Sequence, residues 1–151
     1  VDPIRAKAKK ITAKNLDAYL DGRLGLIFDT TSADASKIKK YKEMLDNIGY
    51  EYKMVFVNTS LENAQKRNEL RARKLPPQIV QNDWEAVQDN ASLLKRIFGK
   101  NFIEVKNDDD VSSFEKKADS LYGKMLSWSS RFPSNKKAMK WRESELIAKK
   151  G

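Results

Sequence analysis

Polar side chains end two short apolar runs of the sequence, and they are the first candidates for chemistry. Asp29 and Thr31 close the run GLIFDTT, and Asn58 closes the run YKMVFVN. Each run is too short for a helix and is typical of a buried strand. Because residues 34–48 between them have helical spacing, the unit is predicted to be strand, helix, strand with parallel strands. Ligands bind beside the carboxyl ends of such strands, so these side chains mark a predicted site.

A cluster of cations follows the second run. Arg67, Arg71 and Arg73 have the spacing R-x-x-x-R-x-R in a helix predicted to run to about Lys74. Arg67 and Arg71 share a helix face, so Arg73 joins them only if the helix ends or bends near the Leu-Pro-Pro sequence that follows. Guanidinium groups pair bidentately with phosphate oxygens, and the cluster therefore predicts a phosphate site. The other interpretation is a surface helix with solvated charges.

The composition excludes several kinds of catalysis. The 151 residues include no histidine and no cysteine, which removes imidazole bases, thiolate nucleophiles and the metal sites that these side chains form. Chemistry is left to carboxylates, hydroxyls, lysine, arginine and tyrosine. The net charge of +9 favours anionic partners such as nucleotides or nucleic acid, although a solvated lysine-rich surface has the same composition.

The length and hydropathy predict one cytoplasmic domain. A chain of 151 residues that is 40% hydrophobic and 34% charged is long enough to bury a core and is typical of a globular protein. It has no apolar run of about 20 residues and no apolar signal segment near the N-terminus. We therefore expect neither a membrane span nor a membrane partner.

Two long helices and a third strand are predicted downstream. Apolar residues repeat at intervals of four and three along residues 78–98 and 111–131, and residues 101–105 have the pattern of a strand. These stripes are expected to face the core and to bury Trp84 and Trp128. The predicted fold class is α/β, a three-layer-type parallel sheet with flanking helices.

The C-terminal part contains aromatic and basic residues close together. Trp128 and Trp141 lie near four cations, Lys136, Lys137, Lys140 and Arg142. Packed helices explain this pattern, and nucleic-acid contact is the alternative. The predicted caps of the last two helices are Ser112, with Glu115 completing a capping box, and Ser134. The run Asp108-Asp109-Asp110 lacks the alternating ligands and glycine of a calcium loop and is not predicted to bind metal.

The segments GLIFDTT and GYEYKMVFVNTSLENAQKRNELRARKLPPQIV resemble the later half of P-loop kinases of the zeta-toxin and small-metabolite-kinase type, over about Leu24 to Asn107. Those kinases have an "hhhDxT" strand, a strand ending in "VNT" and an arginine-rich lid. The resemblance implies ATP as nucleotide, Mg²⁺ bound through water to Asp29 as a Walker-B-type carboxylate, and Thr31 on the same ion or the substrate. Thr30 replaces the usual glycine of "DGT".

The resemblance also implies roles for the second run and the cations. Arg67, Arg71 and Arg73 would hold the transferring phosphate and stabilise its charge, while Asn58 and Lys74 would contact phosphate or substrate. The implied function is a kinase-like phosphotransferase whose acceptor is a nucleotide, a nucleic-acid end or a small metabolite. The alternative is a non-catalytic basic module that binds nucleic acid or a partner within an assembly.

The phosphate loop of the family is missing from this sequence. None of its six glycines has the spacing of G-x-x-x-x-G-K-[ST]. In the family's strand order, 2-3-1-4-5, the three strands predicted here are the third, fourth and fifth, which leaves the central slot empty. Residues 1–110 are thus predicted to be an incomplete kinase-like core, with residues 111–151 as a helical extension within the same domain. A preceding segment or a partner chain would complete the sheet, or the strands would pair differently.

Overall fold

The computed structural model describes residues 2–108 and 110–150, which form two compact units that meet in sequence between Thr30 and Thr31. The first unit is built on helix α1 (Pro3–Asp21), in which Asp2 caps the N-terminus by accepting a hydrogen bond from the Ile4 N–H at 2.9 Å. Proline at the first helical position fits because its missing N–H would have no partner there. The helix is continuous from Pro3 to Asp21.

The second unit contains a two-stranded parallel sheet and most of the helices. Its elements are α2 (Ala35–Ile48), β1 (Met54–Asn58), α3 (Leu61–Glu69), α4 (Pro77–Phe98), a short 3₁₀ turn (Gly99–Asn101), β2 (Phe102–Lys106), α5 (Val111–Ser129) and α6 (Lys136–Ala148). The prediction of a mixed α/β protein with parallel strands is confirmed, although the sheet is smaller than predicted and the protein is mostly helical. No described helix is long and apolar enough to cross a bilayer.

The two strands pair in register, with Met54 opposite Phe102 and Asn58 opposite Lys106. Phe56 is only 3% exposed, and its ring stacks on that of Phe102 with centroids 5.5 Å apart. Aromatic pairs of this kind stabilise a sheet beyond the area that they bury. The same pairing fixes the two carboxyl ends beside each other, because parallel strands end at one edge of the sheet.

The first predicted strand is wrong. Residues 24–29 adopt neither helix nor strand, and the Ile27 side chain is 99% exposed, whereas the prediction buried this run on both faces. A strand exists only through hydrogen bonds to a neighbouring strand. In the family order the neighbour would be the central strand, and no segment in the described ranges takes that place. The prediction of three parallel strands therefore reduces to the pair β1 and β2.

Helix α2 has its predicted boundaries, and a capping residue fixes each of them. The Asp34 carboxylate accepts hydrogen bonds from the Ser36 hydroxyl at 2.6 Å and the Lys37 N–H at 3.1 Å, and these bonds lower the pKa of Asp34. At the other end Gly49 has φ +85°, a left-handed conformation. Helices often end in this conformation, and glycine adopts it with little strain. Ile38 and Leu45 form the buried face between these caps.

The long helix α4 supplies the centre of the core. Leu94 is fully buried, and Trp84, Val87 and Phe98 on the predicted stripe are half-buried. Helix α5 is packed less tightly, since Trp128 is half-buried and none of its described residues is fully buried. The stripes therefore identify the inward faces, but they overestimate how deeply the two tryptophans lie.

Two predicted caps are corrected. Asp110, not Ser112, caps α5 by accepting a hydrogen bond from the Ser113 N–H at 3.0 Å, and Asn135, not Ser134, caps α6 through the Ala138 N–H at 3.0 Å. Aspartate and asparagine are at least as good as serine at this position. Hydrogen bonds from Ser112 and Ser113 hold the pKa of Asp110 well below its usual range.

Replacing Gly49 with alanine should destabilise the protein by at least about 2 kcal/mol, since a left-handed conformation costs about 1–2 kcal/mol with a side chain and steric overlap adds to it. A Cβ at Gly49 would lie 2.7 Å from the Lys137 Cβ and 2.9 Å from the Ala138 nitrogen. Urea unfolding measures the loss. The control is Gly123→Ala in α5, where a Cβ meets nothing within 4 Å and should be neutral or stabilising. Equal effects of both changes would contradict this packing.

Candidate functional site

The carboxyl edge of the β1–β2 sheet carries a connected set of polar side chains. At the end of β1, the Asn58 amide donates to a Glu104 carboxylate oxygen of β2 at 2.9 Å and accepts from the Gln88 amide of α4 at 2.9 Å. The Asn58 carbonyl also accepts from the Asn107 N–H at 2.7 Å. Asn58 thus lies at the predicted edge of the sheet and links both strands to α4.

Helix α3 begins directly beyond this edge, and an acid from the other strand's loop occupies its N-terminus. One Asp108 carboxylate oxygen accepts from the Ser60 N–H at 2.6 Å, the Thr59 hydroxyl at 2.9 Å and the Asn63 amide at 3.0 Å. The first unpaired N–H groups and the dipole of a helix favour an anion at this position. The hydrogen bonds from Ser60, Asn63 and Thr59 hold the pKa of Asp108 well below its usual range.

Each described acid of the Asp108–Asp110 run has a structural role. Asp108 accepts from the N–H of Ser60, the residue that caps α3, and Asp110 caps α5, while Asp109 lies outside the described residues. Within the described ranges there is no group of three or more acidic side chains that could hold a metal ion by itself.

Trp84 of α4 also contacts the backbone at the carboxyl edge of the sheet. Its indole N–H donates to the Thr59 carbonyl at 2.8 Å, so a half-buried aromatic ring fixes the backbone between β1 and α3. A buried indole N–H needs such a partner. The apolar stripe identifies Trp84 as a core residue, but nothing in the sequence indicates this hydrogen bond.

Arg67 contacts the carboxyl edge of the sheet, whereas Arg71 and Arg73 lie beyond the end of helix α3. The Arg67 Nη2 atom donates to the Asn107 carbonyl at 2.7 Å and to the Asn107 side-chain oxygen at 3.1 Å. Asn107 therefore connects Arg67 with Asn58 across the two strand ends. These contacts place two of the predicted site residues at one edge of the sheet.

Helix α3 ends at Glu69, about five residues before the predicted end near Lys74. Arg71 and Arg73 consequently lie in an exposed loop, and the predicted i, i+4 alignment of Arg67 with Arg71 does not form. Lys74 lies in the same loop, where its Nζ pairs with a Glu69 carboxylate oxygen at 3.2 Å. Because α3 is shorter than predicted, helical geometry does not fix the relative positions of Arg71 and Arg73.

Asn68 explains why the helix ends early. Its side chain is 2% exposed and bonds both backbone groups of Leu75: it donates to the carbonyl at 2.8 Å and accepts from the N–H at 2.9 Å. A second link joins the Gln65 amide to the Pro77 carbonyl at 2.8 Å. We call residues 70–76, between α3 and α4, the arginine loop. Asn68 joins its two ends, and the sequence offers no signal for this role.

Asp29 and Thr31, two further predicted site residues, are not part of the hydrogen-bonded set at the carboxyl edge of the sheet. Asp29 is exposed in the first unit, in the segment predicted as a strand. Thr31 is exposed at the start of the second unit, followed by Ser32 with φ +63°. The Asn90 amide of α4 holds this turn by donating to the carbonyls of Ser32 at 3.2 Å and Ala33 at 2.9 Å.

Replacing Asn68 with alanine should destabilise the protein by about 2 kcal/mol, because it leaves two backbone groups of Leu75 without their partners. It should also open the arginine loop, so that trypsin cleaves after Arg71 and Arg73 about tenfold faster through local unfolding. Urea unfolding and timed proteolysis measure the two effects. Asn82→Ala, which removes only an exposed bond with Gln78 on α4, is the control. Equal cleavage rates in both variants would contradict the role of Asn68.

A comparison with known protein families identifies the chain. The family model for Zeta toxin matches residues 2–119, which is more than half of the sequence and includes both strands, the arginine loop and the start of α5. No curated protein and no solved structure shows significant similarity to the chain. The chain therefore belongs to the Zeta toxin family, whose members are P-loop kinases.

Proposed function

We propose that this chain provides the lid and the acidic residue of an ATP-dependent phosphotransferase that acts on a nucleotide, a nucleic-acid end or a small metabolite. Family membership implies a kinase-like phosphotransferase. The observation that supports the assignment best is the arginine loop, which holds Arg71 and Arg73 exposed between two fixed ends. Transfer of a phosphoryl group needs positioned cations much more than covalent chemistry.

Arg71 and Arg73 are proposed to clamp the transferring phosphate. A guanidinium group stays charged and pairs with two phosphate oxygens at once. Arg67 is proposed to assist from the edge of the sheet. It already bonds Asn107, yet a guanidinium has five N–H donors and retains some of them for a phosphate. Lys74 and Asn58 are proposed as further contacts to phosphate or substrate.

Asp29 is proposed to bind Mg²⁺ through water, with Thr31 on the same ion or on the substrate. Both side chains are exposed and offer oxygen atoms, the ligands that Mg²⁺ prefers. A site built from one carboxylate, waters and substrate phosphates needs no larger acidic cluster, so this donor set fits the ion. When bound, the ion would neutralise charge on the ATP phosphates.

The phosphate loop is proposed to come from a preceding segment or a partner chain. Among the described residues each strand of the sheet has one edge without a strand neighbour, and such an edge can accept a further strand. Family kinases hold ATP phosphates with backbone N–H groups of that loop, and this sequence does not contain its pattern.

The test is transfer of the γ-phosphate from radiolabelled ATP by the native protein that contains this chain. A panel of nucleotides, 5′-hydroxyl oligonucleotides and small metabolites serves as acceptors. Labelled acceptor that depends on Mg²⁺ and is lost in an Arg71→Ala, Arg73→Ala double variant supports the proposal. Absence of transfer to every acceptor class, with the protein folded and loaded with ATP, would contradict it.

The alternative is a non-catalytic basic module on a kinase fold, which the net charge of +9 favours. Such a module would bind DNA with a steep salt dependence and would hydrolyse no nucleotide. Measuring both properties on the same preparation separates the two functions.

A further inference from the structure

A second candidate site lies at the opposite end of the sheet from the arginine loop. A cavity of about 610 Å³ opens at the amino ends of β1 and β2, where Lys53 precedes one strand and Asn101 precedes the other. Trp128 of α5 and the first residues of α6 form its other wall. Strands of five residues separate this cavity from the carboxyl edge by about 15 Å. Its volume is typical of sites for small ligands.

The lining of the cavity has more basic than acidic residues, and both acids already have hydrogen-bond partners. Glu51 accepts from the Ser134 N–H at 2.7 Å and from the Ser134 hydroxyl at 3.1 Å, and these bonds lower the pKa of Glu51. Asp46 accepts from the Lys42 ammonium at 2.7 Å and from the Tyr52 hydroxyl at 2.8 Å. Four lysines line the cavity against these two acids: Lys53, Lys100, Lys136 and Lys137.

None of these four lysines is in an ion pair among the described residues. Lys137 donates to the Asp46 backbone carbonyl at 2.9 Å, and its charge also helps to lower the pKa of the Asp46 carboxyl group. The Lys53 ammonium lies 5.5 Å from the centroid of the Trp128 ring. Lys100 and Lys136 are exposed at the rim. Excess positive charge in a concave site concentrates anions there.

An aromatic ring within a basic cavity favours one class of anion. Trp128 is half-buried and lines the cavity, with the Lys53 ammonium over its ring. Aromatic side chains in basic sites are the groups on which planar bases stack. Lysines around Trp128 suit the phosphate that a nucleotide carries. The positive charge also continues outside the cavity, since Lys140 lies one helical turn beyond Lys136 on the same face of α6. A nucleic acid longer than the cavity would contact both the cavity and Lys140.

We propose that this cavity binds one nucleotide of a single-stranded nucleic acid, with its base on Trp128 and its phosphates at Lys100 and Lys136. The site is independent of the phosphotransferase, because none of its lining residues belongs to the arginine loop or to the carboxyl edge of the sheet. Free nucleotides share the same chemistry, and competition distinguishes the two sources.

The test measures the fluorescence anisotropy of a labelled oligodeoxythymidylate of about 12 nucleotides with the 151-residue protein at low and moderate salt. The variant Lys100→Gln, Lys136→Gln should weaken binding about 10-fold at about 50 mM salt and reduce the salt slope by about one unit. Trp128→Leu should weaken binding about 10-fold with little change in slope, and Trp128→Phe should restore most of it. Urea unfolding of each variant verifies that the fold is retained.

The matched control is Lys116→Gln, Lys124→Gln, which removes two exposed charges of α5 outside the cavity. Its affinity should stay within about twofold of the wild type. Equal losses in both lysine variants would show general attraction to a basic surface and would overturn the site, as would the absence of oligonucleotide binding. Displacement of the oligonucleotide by ATP at a concentration equal to that of the oligonucleotide would replace the polymer with a free nucleotide as the ligand.

Discussion

Replacing Arg71 with alanine should lower the rate of phosphoryl transfer by about 10²–10³-fold, the usual effect of losing one transition-state donor. Affinity for Mg–ATP should fall by less than about fivefold, because an exposed charge contact contributes only about 1 kcal/mol. Arg71 is exposed in the arginine loop. We propose that its contact with the transferring phosphate strengthens as negative charge develops there. Single-turnover transfer by the native protein, with parallel titration of Mg–ATP, measures both quantities.

Two further variants complete this experiment. Arg96→Ala removes an exposed arginine of α4 that lies outside the proposed site and should leave the rate unchanged. Arg71→Lys should recover only part of the rate, because an ammonium group cannot form the bidentate pair. An Arg71→Ala protein that loses affinity and rate to the same extent would contradict a role in the transition state.

Replacing Asp29 with asparagine should lower phosphoryl transfer by about 10–100-fold, the usual cost of removing a group that acts on a metal through an intervening ligand. The amide keeps the shape of the side chain but removes the charge that favours Mg²⁺. The dependence of the rate on Mg²⁺ concentration should therefore shift to higher concentrations. Asp29 is exposed, so the substitution should leave the unfolding free energy within about 0.5 kcal/mol of the wild type.

Asp17→Asn provides the control for that experiment, because it removes an exposed carboxylate from α1 of the same unit. Its rate and Mg²⁺ dependence should match those of the wild type. If Asp29→Asn retained the wild-type Mg²⁺ dependence, Asp29 would not be the Walker-B-type acid.

The sequence alone predicts the helices well because their signals are local. Asp34 and Gly49 mark the two ends of α2, and both perform the capping roles that their residue types favour. The apolar stripe through Leu94 identifies the inward face of α4. Such signals depend on residues within a few turns of each other, so a single sequence contains them.

The strand prediction fails where the structure depends on a distant partner. The run ending at Asp29 has the composition of a buried strand, yet strand formation depends on the neighbour that its hydrogen bonds reach. The parallel pairing of β1 with β2 could be predicted because helices connect them. The position of residues 24–29 could not, because composition does not specify an adjacent strand.

The candidate site shows the same limit at the level of side chains. The arginine spacing predicts a lid, but the end of α3 depends on Asn68 bonding Leu75 seven residues later. Asp108 reaches the start of α3 from a loop 48 residues along the chain. Contacts over such separations leave no periodic pattern in the sequence.

The most direct test of the proposed division between lid and phosphate loop is calorimetric titration of Mg–ATP into the 151-residue chain and into a fusion that places the phosphate-loop segment of another Zeta toxin family member before it. The chain alone should bind with a dissociation constant no tighter than about 1 mM, equivalent to about 4 kcal/mol. The fusion, verified as folded by circular dichroism, should bind in the micromolar range because its loop supplies backbone N–H groups and a lysine. Micromolar binding by the chain alone, or no gain in the folded fusion, would contradict this assignment.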